Sequence, residues 1–389
     1  MRIGLVTEWY PPDIGGVASH VRDLSKYLVK RGHEVVIITR RRNGYRRGAG
    51  NVIEIPSAFS FENILVPPDL SSLSEVIVKS DLDILHSHHA FTFLPLMSLI
   101  KAHGVGIGTV LTNHSSYLND YSYVTRVLGY AFFPVKFILT NYVDRIIAVS
   151  RTAASFIRAF TGTKDVEIIY NGVDTERFNP HGSRIYAERI GGDPKILFVG
   201  RLVYRKGPHI LIKAFEIIKR EYRDAVLVIA GEGSMKSRLM ELIDMLGLRE
   251  NVAFVGKISD EELPDLYRSV DLCVIPSLFG ESFGIVAIEA MASGTPIIAS
   301  NSGGLREIIT DGYNGLLFEP ENYVMLAEKA IDLLGDDLFR RSIVMNALRT
   351  VDEKFSWNVI IDKILNIYLE LLQYREVILE HETVTWNNS

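Results

Sequence analysis

The chain has 389 residues, 47% of them hydrophobic and 23% charged, which is ordinary globular usage and excludes wholesale disorder. At about 150 residues per domain, this length predicts two or three domains. Lys and Arg number 42 against 47 Asp and Glu, a formal net charge of −5 that argues against a nucleic-acid binder. The single cysteine, Cys273, excludes a disulfide framework and a cysteine-based zinc site. The first residues, Met1–Glu8, lack the apolar h-region of a signal peptide. No apolar run approaches the roughly 20 residues that span a bilayer. The expectation is a soluble, cytoplasmic protein.

The apolar run Ile3–Val6 opens the chain and predicts a strand; turn residues and Gly15-Gly16 follow it. Val17–Lys30 is an amphipathic stretch stopped by Gly32, and the β-branched run Val35–Thr39 comes next. Strand, glycine turn, helix, strand is a βαβ unit. Short, nearly continuous apolar strands suit a parallel sheet covered on both faces. Ile84–His86, Thr109–Leu111, Arg145–Val149 and Val166–Tyr170 continue the alternation. Phe178–Pro194, with two prolines and three glycines, reads as a linker. The pattern restarts at Lys195–Val199, followed by the helix Ile210–Glu221. Later strands are Val226–Ala230, Val252–Val255, Leu272–Ile275, Ile297–Ala299 and Gly315–Phe318. The predicted fold is α/β: two Rossmann-like, doubly wound parallel-sheet domains facing a central cleft. The expected division is 1–180 and 181–355, followed by a C-terminal helix, 358–378, and a polar, disordered tail, 380–389.

Four loops at the carboxyl ends of strands carry chemistry. Asp13-Ile-Gly15-Gly16-Val17 lets backbone approach a ligand, or is a plain βα turn. Thr112-Asn-His114 offers a histidine for a sugar hydroxyl or for proton handling, or a hydrogen-bonded structural one. Gly200-Arg201-Leu-Val-Tyr-Arg205-Lys206-Gly207 places cations where a diphosphate leaving group can be neutralised; the alternative is a solvated basic loop. Glu281-Ser-Phe-Gly-Ile-Val-Ala-Ile-Glu289 starts a helix near Gly284. The N–H groups of Phe283, Gly284 and Ile285 there form an anion site. Glu281 can accept hydrogen bonds from sugar hydroxyls and Glu289 from a ribose, against a reading as a cap and a surface glutamate.

Other patterns fail for want of context. Gly104-Val-Gly-Ile-Gly108 precedes a strand, and Lys236 stands where Gly231-Glu-Gly233 needs a third glycine. His86-Ser-His88-His89 suggests a metal, with His86 and His88 on one strand face. No carboxylate or cysteine follows nearby, which favours strand-end histidines. Asp81-Leu-Asp83 precedes a strand and reads as a turn. Arg40, Arg41, Arg42, Arg46 and Arg47 crowd one loop, and Tyr117–Tyr142 is rich in aromatics. Together they can meet an anionic membrane surface, or be a solvated loop and a core-facing helix pair.

Taken together, these motifs resemble the retaining glycosyltransferases of family 4, which have the GT-B fold. The likeness covers nearly the whole chain. It rests on Gly15-Gly16-Val17 with Leu28–Val35, Asn171-Gly-Val-Asp174 with Phe178, Gly200–Gly207, the Glu-x7-Glu of Glu281–Glu289, and Ser302-Gly-Gly-Leu-Arg-Glu307. The resemblance implies that Arg201 and Lys206 hold the donor diphosphate, with Gly15 and Gly16 approaching it from the other domain. Glu281 and the backbone of Phe283, Gly284 and Ile285 would hold sugar and phosphate, and His114 the donor sugar. Glu289 would bind the ribose, and the backbone near Ile258 the nucleobase. It implies no metal and no cofactor, the nucleotide sugar (UDP- or GDP-linked) being a substrate. Gly200–Gly207 and Thr112–Ser116 look most like enzymes that glycosylate phosphatidylinositol or inositol phosphate. That likeness implies a lipid or small-molecule acceptor and a peripheral place on the inner face of a membrane. The competing expectations are synthesis of a soluble disaccharide or polysaccharide, and a non-catalytic nucleotide-sugar-binding subunit of a membrane complex. A nucleotide-binding oxidoreductase is disfavoured because no glycine fingerprint with a downstream acid is present.

Overall fold

The computed structural model describes residues 1–13, 15–41, 51–58, 66–116, 135–163 and 165–386. It divides into two compact units, Met1–Gly172 with Trp357–Ser389, and Val173–Ser356. The first carries β1 (Arg2–Thr7), β2 (Glu34–Arg40), β3 (Val52–Ile55), β4 (Ile84–His88), β5 (Gly108–Asn113), β6 (Arg145–Ala148) and β7 (Glu167–Ile168). These strands are all parallel, in the order β3-β2-β1-β4-β5-β6-β7. The second carries β8 (Lys195–Val199), β9 (Val226–Ala230), β10 (Val252–Gly256), β11 (Leu272–Ile275), β12 (Ile297–Ser300) and β13 (Leu316–Phe318). Again all are parallel, in the order β10-β9-β8-β11-β12-β13. Neighbouring residues of β1, among them Ile3, Leu5 and Val6, are fully buried whichever face they point to. That is the signature of a sheet covered on both sides.

The two-sheet α/β expectation is met, with local differences. β3 and the helix Leu70–Lys79 carry no clear sequence signal and were not expected as elements. Phe178–Pro194 is a packed part of the second unit instead of a linker. Phe178 is buried against Tyr267, a helix spans Ile185–Arg189, and the Arg268 guanidinium donates to the carbonyls of Asn179 and Ser183. Prolines and glycines here serve close packing, with Pro180 lying against Gly294.

The last helix runs Trp357–Trp386, longer at both ends than expected. Most of the expected disordered tail is therefore helical, because extending an existing helix adds one backbone bond for each residue fixed. Residues 387–389 lie outside the described residues. Trp357, Ile360, Ile361, Ile364, Ile367, Tyr368 and Leu371 recur at helical spacing and join the core that contains Ile3, Leu5, Leu24, Ile84 and Val110. The Trp357 ring stacks on Tyr27, 5.8 Å between centroids. Among the described residues, no helix is long and apolar enough to cross a membrane.

Trp357 is fully buried where this helix enters the first unit. Trp357→Ala should therefore cost about 3–5 kcal/mol. Urea unfolding read by hydrogen exchange should show the loss in the first unit, with the second unit's strands unchanged.

Candidate active site

In both sheets the strand order reverses once, between β1 and β4 and between β8 and β11. Crevices outside the carboxyl ends of parallel strands at such points are where open α/β sheets take ligands. In the second unit the loops leaving β8 and β11 hold the basic and glutamate motifs. The chain after β8 makes a tight turn at Tyr204–Lys206 and ends on Gly207. Gly207 has φ +67°, and a Cβ there would lie 1.9 Å from the Pro276 carbonyl oxygen, so only glycine lets the two loops touch. The Leu278 N–H donates to the Arg205 carbonyl at 2.7 Å and laces them together.

This contact brings Lys206 Nζ to 2.5 Å from Glu281 Oε2, and Ser277 Oγ donates to the same oxygen at 2.9 Å. The backbone beneath is equally constrained. Gly303, at φ +54°, leaves room for the Glu281 carbonyl, which a Cβ would approach to 2.2 Å, and the Gly304 N–H donates to that carbonyl at 2.9 Å. Burial alone would push the Glu281 carboxyl up. The Lys206 ammonium, with Arg205 and the Ser277 hydroxyl, outweighs it and holds the carboxyl below its ordinary value. Glu281 is thus an ionised hydrogen-bond acceptor at neutral pH.

Gly284 caps the helix Ile285–Ala292 in a left-handed conformation, and among the described residues no side chain caps its N-terminus. Phe283 precedes the cap and is buried, its ring meeting Phe355. Glu289, one helix face further on, is buried and accepts from the Tyr267 hydroxyl at 3.0 Å. The Tyr267 carbonyl in turn accepts from Thr295 Oγ1 at 2.7 Å. Arg201 is exposed in the loop after β8, and Ile258 lies partly exposed beyond β10. The fold thus joins Lys206 and Glu281 directly and sets Phe283, Gly284, Ile285 and Glu289 along the element that follows. Ser277 and Tyr267, which brace the two glutamates, were missed from sequence. Ser277 lies four residues before Glu281 in an irregular loop, and Tyr267 sits on the separate helix Leu263–Arg268.

In the first unit, Gly15 precedes the helix Gly16–Lys30, and among the described residues, its chain neighbours aside, no atom lies within 4 Å of where a Gly15 Cβ would stand. His114 follows β5 and is half-buried, with its Nε2 3.3 Å from His88 Nδ1. Its pKa is pushed well below the ordinary histidine value by burial, then by His20, His89 and His86. His86 and His88 share one face of β4 as expected, 4.3 Å between ring centroids. His86 is clamped between Tyr368 Oη at 2.6 Å and Thr112 Oγ1 at 2.7 Å. His89 has φ +84° and meets Ser115 Oγ at 3.0 Å.

The arginine patch needs a correction. Arg40 ends β2, is only 7% exposed, and makes a two-pronged pair with the buried Glu8, at 3.0 and 2.9 Å. Glu8 also accepts from the Leu94 N–H at 2.9 Å. Arg40 is therefore a structural cation inside the first unit and not part of an exposed patch. Arg41 is exposed. Arg42, Arg46 and Arg47 lie outside the described residues, as does the aromatic stretch between 117 and 134. Of the aromatics that follow, Phe137 is 54% exposed.

The Lys206–Glu281 pair has a thermodynamic signature. In the native protein the Glu281 carboxyl lies below its unfolded value of about 4.3, so its contribution is present above that pH and fades as pH falls. Lys206→Met leaves burial dominant and should raise the carboxyl above its unfolded value. The contribution then exists at low pH and is lost as pH rises. Scanning calorimetry should show the gap in melting temperature between wild type and variant widening from about pH 4 to pH 7.

Residues 14–177 match the family described as Glycosyltransferase Family 4, and residues 186–350 that described as Glycosyl transferases group 1. The chain is similar to an uncharacterized glycosyltransferase of Methanocaldococcus jannaschii, 34% identical over 95% of this chain and 98% of that protein. It is 30% identical to a phosphatidyl-myo-inositol mannosyltransferase of Mycolicibacterium smegmatis, over 95% of this chain and 93% of that protein. Among solved structures, a sucrose-phosphate synthase from Thermosynechococcus elongatus shares the fold at a TM-score of 0.78. Identity there is 24%, over 96% of this chain and 99% of that one. With both halves matched and a relative this similar along almost its whole length, the chain belongs to glycosyltransferase family 4 and has the GT-B fold.

Proposed function

We propose that the protein moves a hexose or N-acetylhexosamine from a UDP- or GDP-sugar to a hydroxyl of an inositol-type or lipid acceptor, with retention of anomeric configuration. The observation that carries this reading is the Lys206–Glu281 pair lodged between the loops that leave β8 and β11. A buried carboxylate kept ionised is suited to accept from sugar hydroxyls, while the ammonium beside it is suited to a diphosphate. In the reaction, the bond between the anomeric carbon and the diphosphate oxygen breaks. The acceptor oxygen bonds to that carbon from the same face, and its proton passes to the departing phosphate oxygen. Charge grows on the diphosphate as the bond lengthens, and Arg201 and Lys206 stabilise it there. The unsealed N-terminus of the helix Ile285–Ala292 adds backbone N–H groups and the positive end of its dipole. Glu289, steadied by Tyr267, takes the ribose hydroxyls, and the backbone near Ile258 the base.

The acceptor class is supported by the mannosyltransferase relative, whose name specifies phosphatidyl-myo-inositol. Arg41, with Arg42, Arg46 and Arg47, supplies cations for anionic headgroups, which suits an enzyme that works at the cytoplasmic face of a membrane without spanning it.

The test is a donor panel read by release of nucleoside diphosphate, with and without phosphatidylinositol, inositol phosphate or simple sugars. UDP or GDP, but not NAD, should stabilise the protein thermally. Glu281→Ala and Lys206→Ala should each lower turnover by about 100-fold or more while the circular-dichroism spectrum holds. Transfer to soluble sugars alone would overturn the acceptor reading. No release from any nucleotide sugar would overturn the whole.

A further inference from the structure

His20, His88 and His114 come from three different elements of the first unit: the helix after β1, the end of β4, and the loop after β5. β1, β4 and β5 are adjacent, so the topology gathers these side chains at the point where the strand order reverses. One ring nitrogen from each lies within 4.8 Å of the others. His88 Nδ1 and His114 Nε2 are 3.3 Å apart, close to the edge of roughly 3.4 Å expected for a tetrahedral site with zinc–nitrogen bonds of about 2.0–2.1 Å. Bringing His20 to the same spacing takes an approach of up to about 1.4 Å.

A second, independent observation marks the cluster as unfinished. His20 and His88 are almost wholly buried. Among the described residues, neither ring nitrogen of His20 makes a well-formed hydrogen bond. Buried polar atoms in native proteins have partners, and one left alone is unfavourable.

We propose that His20, His88 and His114 bind one divalent transition-metal ion of the zinc, nickel or cobalt kind. An all-imidazole donor set selects such ions over calcium and magnesium, which demand oxygen ligands. The half-buried flank at His114 leaves a fourth position for water or an anion. An imidazole has two nitrogens, so an occupied site leaves the other nitrogen of His114 for a hydroxyl. The transfer reaction proposed above routes no step through this ion, and the two ideas stand or fall separately.

The experiment uses the full chain, stripped with a chelator and titrated with Co2+. The expected result is one ion per chain with the intense visible absorption of a tetrahedral site, displaced by an equivalent of Zn2+. This measurement needs no variant, so it survives a variant that fails to fold. His20→Gln and His88→Gln should each weaken Co2+ binding at least tenfold, with His89→Gln as the neighbouring control that leaves it unchanged. Absence of stoichiometric binding, the weak absorption of an octahedral surface ion, or equal affinity in all three variants would overturn the site and leave water as the partner of these nitrogens.

Discussion

Every strand in both sheets runs parallel to its neighbours, and this constrains nearly everything else. A parallel strand cannot be reached by a tight hairpin, so the chain must cross over between strands, through a helix at most of the described connections. All the turns that lead from strand into helix then collect along one edge of each sheet. Where the strand order reverses, two of these turns diverge to opposite faces and leave a gap between them. At β8/β11 that gap is bordered by Lys206 and Glu281. At β1/β4 it is bordered by the turn before Gly15 and by the histidines that end β4. The chemistry lies there because the backbone geometry allows it little other room.

The Lys206–Glu281 pair shows how such a gap becomes a site. Taking a carboxylate out of water is unfavourable by several kcal/mol, and an ion pair offsets this only with good geometry and further hydrogen bonds. Here an ammonium, a serine hydroxyl and a pair of glycines that admit the backbone all converge on one residue. Arg40 and Glu8 solve the same problem in the first unit for a structural purpose, locking the end of β2 to the helix Phe93–Gly104. Two buried ion pairs of similar make thus serve different ends. What separates them is the partners: Lys206 and Glu281 meet between two glycine-bearing loops, while Glu8, just after β1, ties Arg40 at the end of β2 to the helix that follows β4.

Much of this was legible in the order of residues. Lys195–Val199 and Leu272–Ile275 stand out because fully covered strands need unbroken apolar runs, and the loops after them read as sites because glycine and charge alternate there. Glu281, Lys206 and Glu289 were found by spacing within a single loop or helix. What escaped depends on tertiary contact. Tyr267 meets Glu289 across 22 positions, and His20 meets His88 and His114 across 68 and 94; no periodicity records such distances. Arg40 misled because a strand's last arginine reads the same in sequence whether it turns outward or back to a buried Glu8. Phe178–Pro194 misled because glycine and proline mark tight packing as readily as they mark a tether.

The discontinuity of the first unit has a consequence for the order of synthesis. Residues Val173–Ser356 form a compact unit from one unbroken segment. The first unit lacks Trp357, Ile360, Ile364 and Tyr368 until the last helix has left the ribosome. A nascent chain that has just delivered Ser356 can therefore hold a finished second unit beside an N-terminal sheet whose core is still open. The usual rule that the N-terminal domain matures first is inverted. Exposed apolar surface on β1, β4 and β5 persists until residues 357–371 emerge, which makes this sheet the part of the nascent protein most in need of shielding by a chaperone.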